Sequence, residues 1–182
     1  GDKWPQIVHE MRMRIGINTG EIVTGNMGSA SRMNYTMMGD SVNLAARLEE
    51  AAKQYGIFNQ TSNFTLADCD QDLFLFRELD TILVVGKSEP VTTYEILETR
   101  EEASELLINL ERIFSEGLAY YKNQEWDKAL EKFNESLKLE LERFPLLKEK
   151  ANPSKIYIER CENFKEVPPP PNWDGVYTLT SK

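Results

Sequence analysis

The residues with the clearest potential for chemistry are Asn43 and Arg47, in the stretch NYTMMGDSVNLAARLEE (34–50). Residues four apart share one face of a helix, so an amide and a guanidinium would project side by side. An arginine presents a planar fork of donors that matches phosphate oxygens, and an asparagine one turn away can orient a sugar. The pair is therefore a candidate site for the sugar and phosphate of a nucleotide. The alternative is a solvated helix face, on which Arg47 pairs with a carboxylate such as Glu50 or Glu21.

These side chains need a helix to position them, and the spacing of the apolar residues predicts one over residues 41–55. Asp40 is the predicted N-cap, because its carboxylate can accept from the free N–H groups of the first turn. Gly56 ends the helix. Before it we expect two strands within residues 12–26 joined by a tight turn at Thr19–Gly20, then a turn bracketed by Gly25 and Gly28, and a strand over 32–39.

The segments after this helix complete an α+β pattern. We expect a weak strand in IFNQTS, a short helix near 63–68, and strands in LFLFREL, TILVV and VTTYEILE. This order of elements resembles half of a larger sheet. The chain also begins with Gly1 and not with methionine, so we expect it to be a fragment.

From about Ala103 the apolar period changes to 3.6 residues, which predicts two helices separated by a break at KNQ (122–124). A third helix should begin at Asn152–Pro153. Four residues in the first two helices match the spacing of one tetratricopeptide repeat: Gly117, Tyr120, Ala129 and Phe133. With the third helix this makes one repeat and a half, which cannot bury its own core, so we expect these helices to pack on a neighbour.

The C-terminal residues combine a stiff spacer with an apolar tail. Four prolines at 168–171 predict an extended segment. The following NWDGVYTLTSK is too apolar for a solvated tail, and we expect it to dock on the helices or on a second chain.

Composition excludes several classes of function. The net charge is −9 with no basic block, so nucleic acid is not an expected partner. The single histidine removes His-based metal sites and Ser-His-Asp catalysis. Two isolated cysteines and the lack of an apolar run of about 18 residues predict a cytoplasmic chain, although an upstream segment of a longer protein could carry a membrane anchor.

Two long segments carry a family resemblance: RIGINTGEIVTGNMGS with RMNYTMMGDSVNLAARLE, and FRELDTILVVGKSEPVTTYEI. They closely resemble the second half of the catalytic domain of class III nucleotide cyclases. The resemblance implies the C-terminal half of a ferredoxin-like cyclase domain over residues 1–98. We then expect a linker at 99–102, tetratricopeptide-like helices over 103–165 that could bind a protein partner, and a spacer and tail over 166–182.

The resemblance also implies roles for single residues. Asn43 is expected on the ribose and Arg47 on the phosphate where charge grows in the transition state. Thr36 is expected to read the adenine base, as in the bicarbonate-responsive bacterial adenylate cyclases, unless it is a plain strand residue. Many relatives carry a phosphate-binding lysine where this chain has Val85, so Lys87 either replaces it or is a solvated turn residue.

The activity implied is conversion of ATP to 3′,5′-cyclic AMP and pyrophosphate with Mg²⁺ or Mn²⁺, at a site shared by a head-to-tail homodimer. In the family, the metal-binding aspartates precede the part that this chain resembles. We therefore assign no metal ligand to this chain and expect it to be inactive alone. Guanylate specificity is disfavoured by Thr36. The alternative function is a degenerate cyclase core that acts as a regulatory or interaction module through its helices, supported by Val85, Asn59 and Gln60.

Overall fold

The computed structural model describes residues 4–5, 8, 11–29, 31–82, 90–145, 150–170, 172–173 and 175. The strands and helices within these ranges are, in chain order, β1 (Ile15–Ile17), β2 (Val23–Ser29), β3 (Arg32–Met38), α1 (Asp40–Tyr55), β4 (Asn59–Ser62), α2 (Asn63–Asp68), β5 (Phe74–Ile82), β6 (Val91–Thr99), α3 (Glu105–Lys122), α4 (Trp126–Arg143) and α5 (Pro153–Glu166). A sheet with flanking helices, followed by helices alone, confirms the predicted α+β class.

The sheet has four strands in the order β1-β4-β6-β5, and β2 with β3 forms a separate two-stranded ribbon. β1 is parallel to β4, whereas the other neighbours are antiparallel. Helix α1 packs on this sheet. Its buried Leu44 and Leu48 form one core cluster with Ile82 and Val91 from β5 and β6.

The predicted hairpin within residues 12–26 is wrong, because β1 pairs with β4 and not with β2. Asn18 holds the intervening loop, since its amide donates to the Ser41 carbonyl at 3.1 Å and its side-chain oxygen accepts from Ser62 at 2.6 Å. Gly25 and Gly28 also do not bracket a turn, since both lie inside β2. At Gly28 a Cβ would lie 1.9 Å from the Arg32 carbonyl oxygen, so this glycine permits a close approach of two strands.

The N-cap of α1 is Gly39 and not Asp40, and no side chain caps this helix end. Gly39 has φ of 144°, a conformation that side-chain-bearing residues rarely adopt. Asp40 is instead the first helical residue, where its negative charge interacts favourably with the helix dipole.

The residues predicted as two strands, LFLFREL and the start of TILVV, form the single strand β5. Register shifts between Leu75 and Phe76 and between Glu78 and Asp80 accommodate this length against β6. Residues 83–89 lie outside the described part of the chain.

Gly16 is required for the seating of α1 on the sheet. A Cβ at this position would lie 2.0 Å from the Ala45 carbonyl oxygen and 2.5 Å from the Glu49 nitrogen, and both atoms belong to the helix backbone. Gly16→Ala should therefore destabilise the protein by about 1–3 kcal/mol, because the helix must move off the sheet. Urea unfolding followed by circular dichroism measures this loss.

The matched control is Gly25→Ala, since a Cβ there has no atom within 4 Å. We expect it to be neutral or to stabilise the protein by about 0.4–1 kcal/mol, by restricting the unfolded chain. Equal losses for both variants would contradict the close contact between Gly16 and α1.

Helices α3, α4 and α5 pack on the same sheet as α1, which meets the expectation that they need a neighbour. Leu110 of α3 joins Leu75 and Leu97 of the sheet in one buried cluster. Ile156 of α5 packs against a second cluster that contains Tyr55 of α1. The core therefore continues from the sheet into the helical region. The resemblance of these helices to a tetratricopeptide repeat stays a prediction.

The start of the apolar tail docks on these helices. The Trp173 ring lies 5.2 Å from the Tyr121 ring and 5.2 Å from the Phe164 ring, measured between centroids. The predicted docking therefore holds for this residue, on the helices of its own chain. Residues 176–182 lie outside the described residues.

Candidate nucleotide site

Asn43 and Arg47 are both exposed on α1, on the stripe that also carries the exposed Glu50 and Gln54. The opposite side of the helix buries Leu44, Leu48 and other core residues. This amphipathic arrangement confirms the helix face that the sequence predicts. Two donor side chains one turn apart can contact the same small ligand, because their Cβ atoms are about 5–6 Å apart.

Thr36 is half-buried in β3, opposite Gly25 of the neighbouring strand. It lies three residues before Gly39, whose carbonyl oxygen accepts from the Asn43 N–H at 3.2 Å. The end of the ribbon and the first turn of α1 are thus joined by a very short connection. This connection positions Thr36 close in sequence and in the fold to the helix turn that carries Asn43.

Lys87 and Val85 lie outside the described residues, so the predicted phosphate contact of Lys87 stays a prediction.

The cytoplasmic location also stays a prediction. Among the described residues, no helix is long and apolar enough to cross a membrane.

The described residues do not fit a divalent metal ion. Among them there is no group of three or more His, Cys, Asp or Glu side chains that could hold one. The expectation of Mg²⁺ or Mn²⁺ therefore concerns ligands supplied by another segment or another chain.

Asn43 and Arg47 lie on an exposed face of α1. A cavity of about 500 Å³ lies near the opposite end of α1, and neither Asn43 nor Arg47 lines it. Its described lining residues are Arg12, Arg14, Lys53, Gly56, Phe58, Lys150 and Ala151. An exposed pair of donors is the arrangement expected when a second protein surface completes a site.

The ribbon next to the site exposes large apolar side chains. Met33 is 63% exposed and Tyr35 is 73% exposed, on the strand that also contains Thr36. The same ribbon exposes Val23, Met37 and Met38. Met33, Tyr35 and Met37 share one face of the ribbon, because side chains alternate between the two faces of a strand, and Val23 and Met38 lie on the other face. Neighbouring exposed apolar residues are typical of an interaction surface.

A buried polar cluster at the other end of α1 was not foreseen from the sequence. Tyr55, the last residue of the helix, donates to Asp80 of β5 at 2.5 Å. Arg160 of α5 also donates to Asp80, at 2.6 Å. The only local signal for this cluster is a charged residue at an inward-facing position of a strand, and such a residue needs a buried partner.

Comparison with known proteins identifies the class. Residues 4–98 match the family model described as the adenylate and guanylate cyclase catalytic domain. This match covers more than half of the chain, so the protein belongs to that family.

The similar proteins include adenylate cyclases from distant organisms. The chain is 36% identical over 157 residues to "Adenylate cyclase, terminal-differentiation specific" of Dictyostelium discoideum, which covers 84% of this chain and 7% of that protein. It is 42% identical over 88 residues to "Adenylate cyclase 1" of Rhizobium meliloti, which covers 48% of this chain and 13% of that protein. The crystal structure of the adenylyl cyclase CyaB from P. aeruginosa is 36% identical, with a TM-score of 0.42, over 50% of this chain and 45% of that one.

The chain therefore spans only a small part of the length of the curated relatives it matches. The similarity to the Dictyostelium protein covers more of the chain than residues 1–98, so it must continue into the helical region. The sheet and the helices packed on it thus have a common counterpart in that relative.

Proposed function

We propose that this chain contributes the nucleotide-binding half of an adenylate cyclase site, which converts ATP to 3′,5′-cyclic AMP and pyrophosphate. The observation that carries the proposal is the exposed pair Asn43 and Arg47 on α1, inside a segment that matches the cyclase family. Helix α1 packs two leucines against the sheet with one face and presents an amide and a guanidinium outward on the opposite face. Such an outward face is suited to hold a charged ligand.

In the proposed reaction the ribose 3′-hydroxyl releases its proton to solvent and its oxygen attacks the α-phosphorus, while the bond from that phosphorus to the oxygen bridging to the β-phosphate breaks. Negative charge grows on the α-phosphate oxygens as pyrophosphate leaves. Arg47 stabilises this charge with its guanidinium, and Asn43 orients the ribose. A divalent metal, held by ligands from outside the described residues, would supply Lewis-acid chemistry at this site.

A homodimer is the arrangement we propose for completing the site. Asn43 and Arg47 are exposed, and one face of the nearby ribbon exposes Met33, Tyr35 and Met37. If the same surfaces of two chains met across a two-fold axis, this apolar area would be buried and each α1 would be brought towards the partner chain. The site of one protomer would then combine Asn43 and Arg47 with metal ligands from the other.

The alternative function, a degenerate core that serves as an interaction module, loses part of its support. Asn59 accepts from the Ile96 N–H at 2.9 Å through its side-chain oxygen, and Gln60 is completely buried. Asn59 therefore contributes to the hydrogen bonding of the sheet and no longer supports this alternative. Gln60 still supports it, because neither its side-chain oxygen nor its nitrogen has a hydrogen-bond partner among the described residues. A protein partner on the helical region stays a prediction.

The experiment joins the upstream half of a homologous catalytic domain, such as that of the Rhizobium relative, ahead of residue 1. The purified chimera is assayed with ATP and with GTP in the presence of Mg²⁺ or Mn²⁺. We expect cyclic AMP from ATP, and little cyclic GMP. Formation of neither product, in a chimera that is folded and that binds the metal, would refute the proposal.

Thr36 tests the choice of base in the same chimera. Thr36→Val keeps the shape of the side chain but removes the hydroxyl, so we expect kcat/KM for ATP to fall about five- to tenfold, as for the loss of one hydrogen bond. Thr36→Ser retains the hydroxyl and should stay within about twofold of the parent. Equal values for ATP in the parent and in both variants would show that Thr36 is a plain strand residue.

A further inference from the structure

Helix α1 is anchored at its C-terminal end by three buried side chains from three different elements, which we call the Asp80 cluster: Tyr55 of α1, Asp80 of β5 and Arg160 of α5. Tyr55 Oη donates to Asp80 Oδ2 at 2.5 Å, and Arg160 Nη1 donates to the same oxygen at 2.6 Å. Arg160 Nη2 also lies 3.4 Å from Tyr55 Oη. The three side chains are therefore mutually bonded.

Every member of the Asp80 cluster is shielded from water. Tyr55 is 1% exposed, Asp80 is 2% exposed and Arg160 is 6% exposed. The second oxygen of Asp80 accepts from the Thr81 N–H at 2.9 Å, so both carboxylate oxygens are fixed. A buried carboxylate requires a counter-charge, and α5 supplies it through Arg160. Burial raises the pKa of Tyr55, so its phenol stays protonated and keeps donating.

The contact between α5 and the end of α1 extends beyond this cluster. Tyr157 Oη donates to the Leu79 carbonyl at 2.6 Å, next to Asp80 in β5. The Arg160 guanidinium lies 5.0 Å from the centre of the Tyr157 ring. Ile156 packs against a separate apolar core group that contains Tyr55 and Leu79. One helix of the C-terminal region thus touches both α1 and the strand beneath it.

The two ends of α1 are mechanically connected, because an α-helix is stiff over this length. With a rise of about 1.5 Å per residue, Arg47 lies about 12 Å and Asn43 about 18 Å along the axis from Tyr55. Hydrogen bonds at Tyr55 are directional, so they fix the rotation of the helix about its axis more strictly than apolar contacts do. A change of rotation at Tyr55 would turn the face that carries Asn43 and Arg47.

We propose that Arg160 is a positioning residue for the nucleotide site: through Asp80 and Tyr55 it sets the orientation of α1, so that the helical region controls the turnover of the cyclase half. The proposal rests on the proposed function of Asn43 and Arg47. It assigns the helical region a regulatory role, in which any partner or modification that shifts α5 alters the placement of Arg47.

The test is a double-mutant cycle in the chimera that contains the whole chain. Arg160→Met removes the charge and the hydrogen bonds but keeps an apolar side chain of similar length. We expect kcat to fall about tenfold, with the KM for ATP within about twofold, since misplacement of a catalytic group by a fraction of an ångström has effects of this order. In an Arg47→Ala background the same change should lower kcat less than about twofold, because Arg160 acts through Arg47.

Two further variants separate positioning from stability. Arg160→Lys restores the charge without the fork and should recover part of the lost kcat. Arg112→Met is the matched control, because Arg112 is an exposed arginine of α3 whose ion pair with Glu116 lies at the surface. It should leave kcat unchanged. All assays are run at least about 10 °C below the lowest melting temperature among the variants, because a single substitution can lower the melting temperature by several degrees.

If Arg160→Met impairs folding, Tyr55→Phe provides the second route, because it removes one hydroxyl and retains the ring. We expect a decrease in kcat of about threefold that is again lost in the Arg47→Ala background. An unchanged kcat, or an equal decrease in both backgrounds, would overturn the positioning role while leaving the proposed function intact. An Arg47→Ala variant with full activity would instead overturn the proposed function itself.

Discussion

Arg47→Ala is expected to lower kcat for cyclic AMP formation by about 10²-fold or more, with a much smaller change in the KM for ATP. The guanidinium is proposed to bind oxygens that gain charge only as the α-phosphorus reacts. Its loss therefore raises the energy of the transition state more than that of the bound substrate. Steady-state assays of the chimera, at saturating metal and over a range of ATP concentrations, measure both constants.

Arg47→Lys distinguishes the fork of donors from the charge alone. A lysine keeps the positive charge but cannot bind two oxygens in one plane, so we expect kcat between those of the parent and the alanine variant. Both substitutions lie on the exposed face of α1, and the melting temperature should change by no more than a few degrees. A fall confined to KM would show that Arg47 contributes uniform binding and does not stabilise the transition state.

Asn43→Ala should produce a smaller loss, because an amide that orients the ribose carries no charge into the transition state. This ranking of the two residues follows from their chemistry and not from their exposure, since both are exposed. An effect of Asn43→Ala larger than that of Arg47→Ala would indicate that orientation of the 3′-oxygen, and not charge stabilisation, limits the reaction.

The helices of this protein could be predicted from sequence because their signals are local. The spacing of Leu44, Leu48 and Tyr55, with Gly56 at the end, gave a helix over 41–55, and the structure has α1 over Asp40–Tyr55. The face that carries Asn43 and Arg47 followed directly from this periodicity. What these two side chains bind did not follow from it, and that inference depended on the family resemblance.

The strand pairings could not be predicted, because register and partner choice depend on residues far apart in the chain. β1 pairs in parallel with β4 more than 40 residues later, so its local signal resembled the first strand of a hairpin. The glycines inside β2 resemble turn residues, since sequence alone does not distinguish a turn glycine from one that permits close strand approach.

The buried ion pairs between the sheet and the helices also could not be predicted from local sequence patterns. Arg77 lies two residues from both Leu75 and Leu79 along β5, so the two-residue period of a strand places it on the same buried side as these leucines. This placement indicates that Arg77 needs a buried acid. Its partner Glu140 lies 63 residues away on α4, a distance at which no spacing rule operates. Such pairs, together with the apolar clusters, join the helical region to the sheet.

Arg77→Met is expected to destabilise the chain by about 3–5 kcal/mol, because it leaves buried carboxylates without their counter-charge. Arg77 is fully buried and donates to Glu140 at 2.5 Å and to Glu95, while its guanidinium lies 4.9 Å from the centre of the Phe114 ring. The loss should appear in urea unfolding, and as a decrease in melting temperature of about 6–20 °C for a chain of this size.

Two comparisons make this expectation specific. Arg77→Met combined with Glu140→Leu should be more stable than Arg77→Met alone, because removing both members of a buried pair avoids an unpaired charge. The surface control Arg112→Met should cost less than about 1 kcal/mol. If Arg77→Met cost no more than this control, the ion pairs would not be what holds the helices on the sheet.

The pH dependence of stability provides an independent check on the same network. Burial alone would raise the pKa of Glu95, but the charges of Arg77 and Arg143 outweigh this effect and hold it below its ordinary value of 4.5. Because the folded pKa is below the unfolded one, the contribution of Glu95 is fully present above about pH 4.5 and is lost as the pH falls through the folded pKa. Arg77→Met removes one of the two cations, so the loss of unfolding free energy between pH 5 and pH 3 should be smaller in this variant than in the parent. Parallel curves for the two proteins would show that Arg77 does not stabilise the charged form of Glu95.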